Sequence, residues 1–113
     1  MIKNETITQN RDFKRAYTRG KFVASPLLVT YAVKNRFNCI RVGISSSKKT
    51  GNAVCRNRSK RVIREAFRII KNDLNTGFDI VFVTRSKTSL VKMQRVLFDM
   101  KKQLSRLNLL IKK

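Results

Sequence analysis

The chain has 113 residues, 27 of them Lys or Arg and only 6 Asp or Glu, which leaves a net charge of +21. Its 42% hydrophobic content is enough to build a core and excludes a disordered basic tail, so a single domain over 1–113 is expected. So large an excess of one sign calls for a polyanionic partner, nucleic acid first, while no apolar run approaches the roughly 18 residues of a membrane-spanning helix.

The N-terminal stretch MIKNETITQN has no apolar region of the signal-peptide kind, and a cytoplasmic location is expected. From Asn10, a residue suited to an N-cap, NRDFKRAYTRG places Phe13, Ala16 and Tyr17 at i, i+3 and i+4 and stops at Gly20, a suitable C′ residue. A short helix is predicted there. KFVA (21–24) and LLVTYAV (27–33) are rich in strand formers and flank the only proline, Pro26. In the second of these, Tyr31 shares a face with Leu27, Val29 and Val33, where its hydroxyl needs a polar outlet. Residues 35–38 read as a turn, and CIRVGIS (39–45) alternates with Ile40, Val42 and Ile44 on one face. FDIVFVT (78–84) is apolar enough for a strand covered on both sides, and from about Ser89 the chain carries Val96, Leu97, Met100, Leu104 and Leu107 at helical spacing. The predicted order is αβββαβα.

Cys39 and Cys55 form no CxxC or Cys/His grouping, and there is no histidine, so no metal site is expected and both read as small buried thiols. A protein nuclease needs a general base or a group of metal-binding carboxylates. The six acids, Glu5, Asp12, Glu65, Asp73, Asp79 and Asp99, are scattered, and no catalytic residue is assigned. Glu65 reads as a residue orienting Arg61 or Arg64.

The stretch between the third and fourth strands, GNAVCRNRSKRVIREAFR (51–68), is a divided helix. At 100° per residue, Arg56, Asn57, Lys60, Arg61, Arg64 and Arg68 fall in an arc of about 140°. Cys55, Val62, Ile63, Ala66 and Ile70 fill the rest, and Phe67 joins this apolar set from the margin of the cationic arc. Solvated faces intersperse Glu with Lys; here Arg56, Lys60, Arg64 and Arg68 repel one another at i, i+4, which points to a bound polyanion. The preceding SSSKKTGN has small residues that let backbone amides approach an anion near a helix N-terminus. Arginine forks bind phosphate oxygens in pairs and Asn57 both donates and accepts, which suits folded RNA. The same helix could also read a DNA major groove, but no helix-turn-helix pair or zipper heptad accompanies it, which favours RNA modestly and makes DNA the less expected partner.

The block SKKTGNAVCRNRSKRVIREAFR (47–68) resembles the signature of the bacterial ribonuclease P protein subunit, GNAV-x-RNR-x-KR-x-x-RE-x-F. DFKRAY followed by Gly20, RVGISSSKK and GFDIVFVTR extend the resemblance to about Asn10 through Leu107. It implies an α/β (α+β) two-layer sandwich, with a central four-stranded mixed sheet and a left-handed crossover around the basic helix, against the usual right-handed rule. It also implies a role as accessory subunit of an endoribonuclease that removes the 5′ leader of precursor tRNA. The catalytic RNA does the chemistry with magnesium that it mainly holds itself, and there is no organic cofactor. Position by position, Lys48, Lys49, Asn52, Arg56, Asn57, Arg58, Lys60, Arg61, Arg64 and Arg68 would face the catalytic RNA, with Ser47 and Gly51 in the lead-in. Phe13, Tyr17 and Tyr31 would hold the leader by stacking, which tolerates any base. Tyr17 stands where phenylalanine is common in the family. The other phenylalanines, Phe22, Phe37, Phe67, Phe78, Phe82 and Phe98, are expected in the core or in turns. A ribosomal or ribosome-assembly protein without an enzymatic role is the alternative; the RNA that co-purifies separates the two.

Overall fold

The computed structural model describes residues 4–111 and leaves aside, within that span, the side chains of Asn4, Glu5 and Lys48. The elements are β1 (Asn4–Thr6), α1 (Asn10–Arg19), β2 (Lys21–Ala24), β3 (Leu28–Lys34), β4 (Ile40–Ser45), α2 (Ala53–Ile70), β5 (Phe78–Thr84) and α3 (Met93–Arg106). The αβββαβα order is present, with β1 added in front. In the sheet the strands lie in the order β1-β4-β5-β3-β2. β4 and β5 are parallel neighbours joined by the α2 crossover, β5 and β3 are antiparallel, and so are β3 and β2. The fifth strand, β1, pairs in parallel with the Ile40–Val42 stretch of β4, and the Ile7 N–H donates to the Val42 carbonyl at 2.8 Å.

Strand alternation divides the core between two faces. Leu28, Ile40, Ile80 and Phe82 pack against Ile63, Ala66, Phe67 and Ile70 of α2 and against Val96, Met100 and Leu104 of α3, with the Phe67 and Phe82 rings 5.7 Å apart. Full burial of such side chains contributes about 1.5–3 kcal/mol each. This is the expected α/β sandwich. Gln103 of α3, itself buried, accepts the Thr30 hydroxyl at 2.6 Å and donates to the Leu28 carbonyl at 2.9 Å, which fixes the position of α3 along β3. The opposite face carries α1: Ala16 and Ile7 close over Val81, with Phe13, Tyr31 and Val33 at the margin.

Several details depart from the sequence reading. α1 begins one residue earlier than an Asn10 cap implies, with Gln9 in the cap position and no side-chain cap. Gly20 is extended rather than left-handed, and its requirement is spatial: a Cβ would stand 2.4 Å from the Ala16 carbonyl oxygen and 2.9 Å from that of Ala32. Leu27 precedes the strand and joins the α2/α3 core, so Tyr31 shares its face with Val29 and Val33 only. Cys39 is buried but Cys55 is only half-buried, because it lies one turn from the exposed start of α2.

α1 is tied down by charge as well as by packing. Asp79, wholly buried on the α1 side of β5, accepts from Arg41 Nε at 2.8 Å, Arg41 Nη2 at 2.6 Å and Asn35 Nδ2 at 2.8 Å. Arg15 of α1 reaches the same carboxylate at 3.4 Å and also donates to the Lys34 carbonyl, while Arg41 Nη2 bridges to Asp12 of α1 at 3.2 Å. Burial opposes the charge on Asp79, but the bonds from Arg41 and Asn35 and the nearby Arg41 and Arg15 charges outweigh it and hold its carboxyl below the usual carboxylate range.

Candidate nucleic-acid interface

α2 starts from a built cap. The Asn52 side-chain oxygen accepts the Cys55 N–H at 2.9 Å, and just ahead of it Gly51 takes φ 134°, a conformation that favours glycine. The turn before it is anchored to the sheet by the Thr50 and Thr84 hydroxyls, 2.8 Å apart. Asn52, a sequence candidate for RNA contact, thus has its side-chain oxygen oriented by the helix cap, which leaves its amide nitrogen and the oxygen's remaining lone pair as the groups that can reach a ligand. Asn52→Ala is expected to cost about 1 kcal/mol, read as a lower urea midpoint with an unchanged slope.

Asn57, Arg58, Arg61, Arg64 and Arg68 are exposed along α2, while Arg56 and Lys60 are half-buried. Arg56 folds back at the start of the helix, with Nη1 3.4 Å from the Gly51 carbonyl. Lys49 is exposed on the turn before α2, and the Lys48 side chain lies outside the described residues. Glu65 is exposed and, among the described residues, forms no ion pair, so it does not orient Arg61 or Arg64. All three ion pairs among the described residues converge on Arg41 and Asp79, which leaves the α2 cations without an ion-pair partner, Glu65 being the one carboxylate near them.

Two clefts border this face. One, of about 610 Å³, runs between α2 and the β1–β4 edge and is lined by Lys60, Arg61, Arg64, Arg68 and Lys71, with Glu65 among them, over a floor that includes Val42 and Ile44. The other, of about 430 Å³, lies between α1 and the end of β4, with Phe13, Lys14, Tyr17, Ile44, Ser45, Ser46 and Lys60 around it. Ile44 and Lys60 belong to both, so the aromatic cleft opens onto the cationic one.

Phe13, Tyr17 and Tyr31 come together as the sequence candidates for stacking. Tyr17 meets Tyr31 edge-on at 5.0 Å and 72°, and Phe13 lies 6.5 Å from Tyr17. Phe13 reaches the sheet over Gly43, where a Cβ would stand 2.7 Å from its ring. The row has a fourth member: Phe22, expected in the core or a turn, is 61% exposed and lies 5.4 Å from Tyr31. The reason is its place on β2, an edge strand, where it pairs with Tyr31 on a part of the sheet that α1 does not cover. Phe37 and Phe98 are also exposed, Phe37 in the turn beneath the Arg41 guanidinium and Phe98 on α3.

The family model for Ribonuclease P matches residues 1–108. The chain belongs to the ribonuclease P protein family. It is 48% identical over 90 residues to a ribonuclease P protein component from Clostridium novyi, covering 78% of this chain and 80% of that one. A ribonuclease P protein component from Clostridium botulinum is 42% identical over 89 residues, with the same coverage. Among solved structures, the Staphylococcus aureus RNase P protein superposes with a TM-score of 0.83 at 34% identity, covering 96% of this chain and 99% of that one. The Thermotoga maritima RNase P protein gives 0.76 at 33% identity, covering 87% and 93%. Family membership makes the chain an RNA-binding protein component of a ribonuclease, and its fold is that of the bacterial family members.

Proposed function

We propose that this chain is the accessory subunit of a ribonucleoprotein that removes the 5′ leader from precursor tRNA, with its two clefts dividing the work. The cationic face of α2 takes the phosphates of the catalytic RNA and of the junction where substrate meets it. The aromatic row from Phe13 through Tyr17 and Tyr31 takes bases of the single-stranded leader. The observation that carries this reading is the shared wall of the two clefts at Lys60 and Ile44. A strand laid on the rings can pass directly onto the arginines, as a leader must where it joins the folded tRNA.

Stacking holds leaders of any sequence, since every base has a π face, and this accounts for acceptance of varied precursors. Arginine forks hold phosphates two oxygens at a time and fix the RNA in register without reading its bases. Among the described residues no group of three His, Cys, Asp or Glu side chains is placed to hold a metal ion. In this reading magnesium, which supplies an activated water and charge stabilisation in such hydrolysis, is held mainly by the RNA. The protein's contribution is to neutralise phosphate charge that metal ions would otherwise screen. Among the described residues no helix is long and apolar enough to cross a membrane.

The test is cleavage of a precursor tRNA by RNA-free protein, by the catalytic RNA, and by both together across a magnesium series. The expected result is no cleavage by protein alone and a lower magnesium requirement for the pair than for the RNA. Leader removal by the protein alone, or an RNA whose magnesium dependence ignores the protein, would overturn the reading.

A further inference from the structure

The proposed function uses α2 and the α1 side of the sheet, yet a second set of cations gathers at the other end of the molecule. Two clefts, of about 260 and 350 Å³, share Ala24, Ser25 and Pro26 at the β2–β3 turn. Arg95, Lys102 and Arg106 of α3 line the first, and Arg85 and Lys87, just past β5, line the second. All five are exposed. The one carboxylate in the clefts, Asp99, accepts the Ser25 hydroxyl at 2.8 Å, and none of the five cations forms an ion pair among the described residues. Beside them the Phe98 ring is 53% exposed, with Lys102 Nζ 5.7 Å from its centroid.

A solvated helix face does not need this arrangement. Lys102 and Arg106 repel at i, i+4, and an exposed aromatic on the same face lowers solubility without adding to the core. Together the cations and ring offer phosphate contacts with one surface for a base or sugar, the combination that RNA uses and that an acidic protein patch or a lipid headgroup does not fully exploit. The surface is also separate from the first. Its clefts lie at β2, whereas the α2 groove lies at β1 and β4, on the opposite edge of the sheet. At about 4.8 Å per strand the two are roughly 15–20 Å apart.

We infer that Arg85, Lys87, Arg95, Lys102 and Arg106, with Phe98, form a second RNA-binding surface that grips a segment of folded RNA other than the one on α2. The catalytic RNA invoked above, being large, could meet both edges of the sheet at once. This inference rests on that reading for its partner.

The experiment measures binding of the RNase P RNA, transcribed from the same genome, across a salt series. The proteins are the wild type, the triple variant Arg95→Ala/Lys102→Ala/Arg106→Ala, and Arg61→Ala/Arg64→Ala as the α2 reference, each checked for native circular dichroism. Each phosphate contact contributes about 0.9 to the slope of log affinity against log salt on a duplex and about 0.7 on a single strand. The triple variant is expected to lose about 2 to 3 from the slope, and to bind a short single-stranded leader oligonucleotide as the wild type does. An unchanged slope in the folded triple variant, with the α2 reference reduced, overturns the second surface alone. A wild type that does not bind this RNA overturns the proposed function along with it.

Discussion

Asp79→Asn is expected to lower stability by about 3 kcal/mol, since removing one partner of a buried pair leaves the other charge uncompensated. The amide can replace at most part of what the carboxylate gives Arg41 and Asn35, and it gives Arg15 no countercharge. In a chain of net charge +21, each carboxylate lost also adds to self-repulsion. Against the 5–15 kcal/mol typical of natural domains, such a loss is between about a fifth and more than half of the total. The acid dependence of stability has a definite sign. Asp79's carboxyl titrates lower when folded than when unfolded, so its contribution is present above the unfolded value, about 3.9, and is lost as pH falls through the lower folded value. Urea unfolding at pH 7 and at pH 3 checks both statements. The gap between wild type and Asp79→Asn should be wide at pH 7 and should narrow at pH 3. A gap that stays the same at the two pH values would show that the carboxylate charge is not what holds α1.

Gly43→Val should act chiefly on the proposed leader cleft, with some loss of stability where α1 is displaced. A Cβ at that position would stand 2.7 Å from the Phe13 ring and 3.1 Å from the Ile7 Cβ, so the ring must leave its seat on the sheet and draw α1 with it. Tyr17, 6.5 Å from that ring on the same helix, would move as well and leave its edge-on contact with Tyr31. Loss of one base stack is worth about 1 to 3 kcal/mol, or roughly 5- to 150-fold in affinity. Precursor tRNA with a leader should lose this much while mature tRNA loses little, because the α2 cations are untouched. The comparison is made on the assembled ribonucleoprotein, with circular dichroism to show that the variant is folded. Equal losses for the two tRNAs would remove the rings around Phe13 from the leader site.

The sequence carries α2 most clearly because both signals that define it are local. Apolar residues return every third or fourth position, and cations fill the remainder. Phe13, Tyr17 and Tyr31 could be brought together on paper only through resemblance, since Tyr31 comes from another element and nothing in its own strand names its neighbours. Phe22 was missed for a related reason: strand alternation tells which face a residue takes, not whether that face is covered. β1 gave no signal because its three residues, NET, are polar and its pairing partner lies beyond two intervening strands. Asp79 read as one scattered acid, since its partners come from positions 15, 35 and 41, and only the folded sheet brings them into reach.

The place of β5 between β4 and β3 has a consequence for how the molecule comes into being. Of the strands it is the last to be synthesised, yet it is the one against which two others pair across their whole lengths. Until residue 84 has left the ribosome only the β2–β3 hairpin can form by short-range contacts, and β4 has a hydrophobic face and an edge that waits for β5. Chains with many long-range pairings fold slowly and expose sticky surface meanwhile. A nascent chain halted just past α2 would therefore carry that helix's full set of arginines with the β5 part of its floor still missing, and competence for RNA should arrive in one late step, when β5 slides into the gap and α2 is pulled down across it.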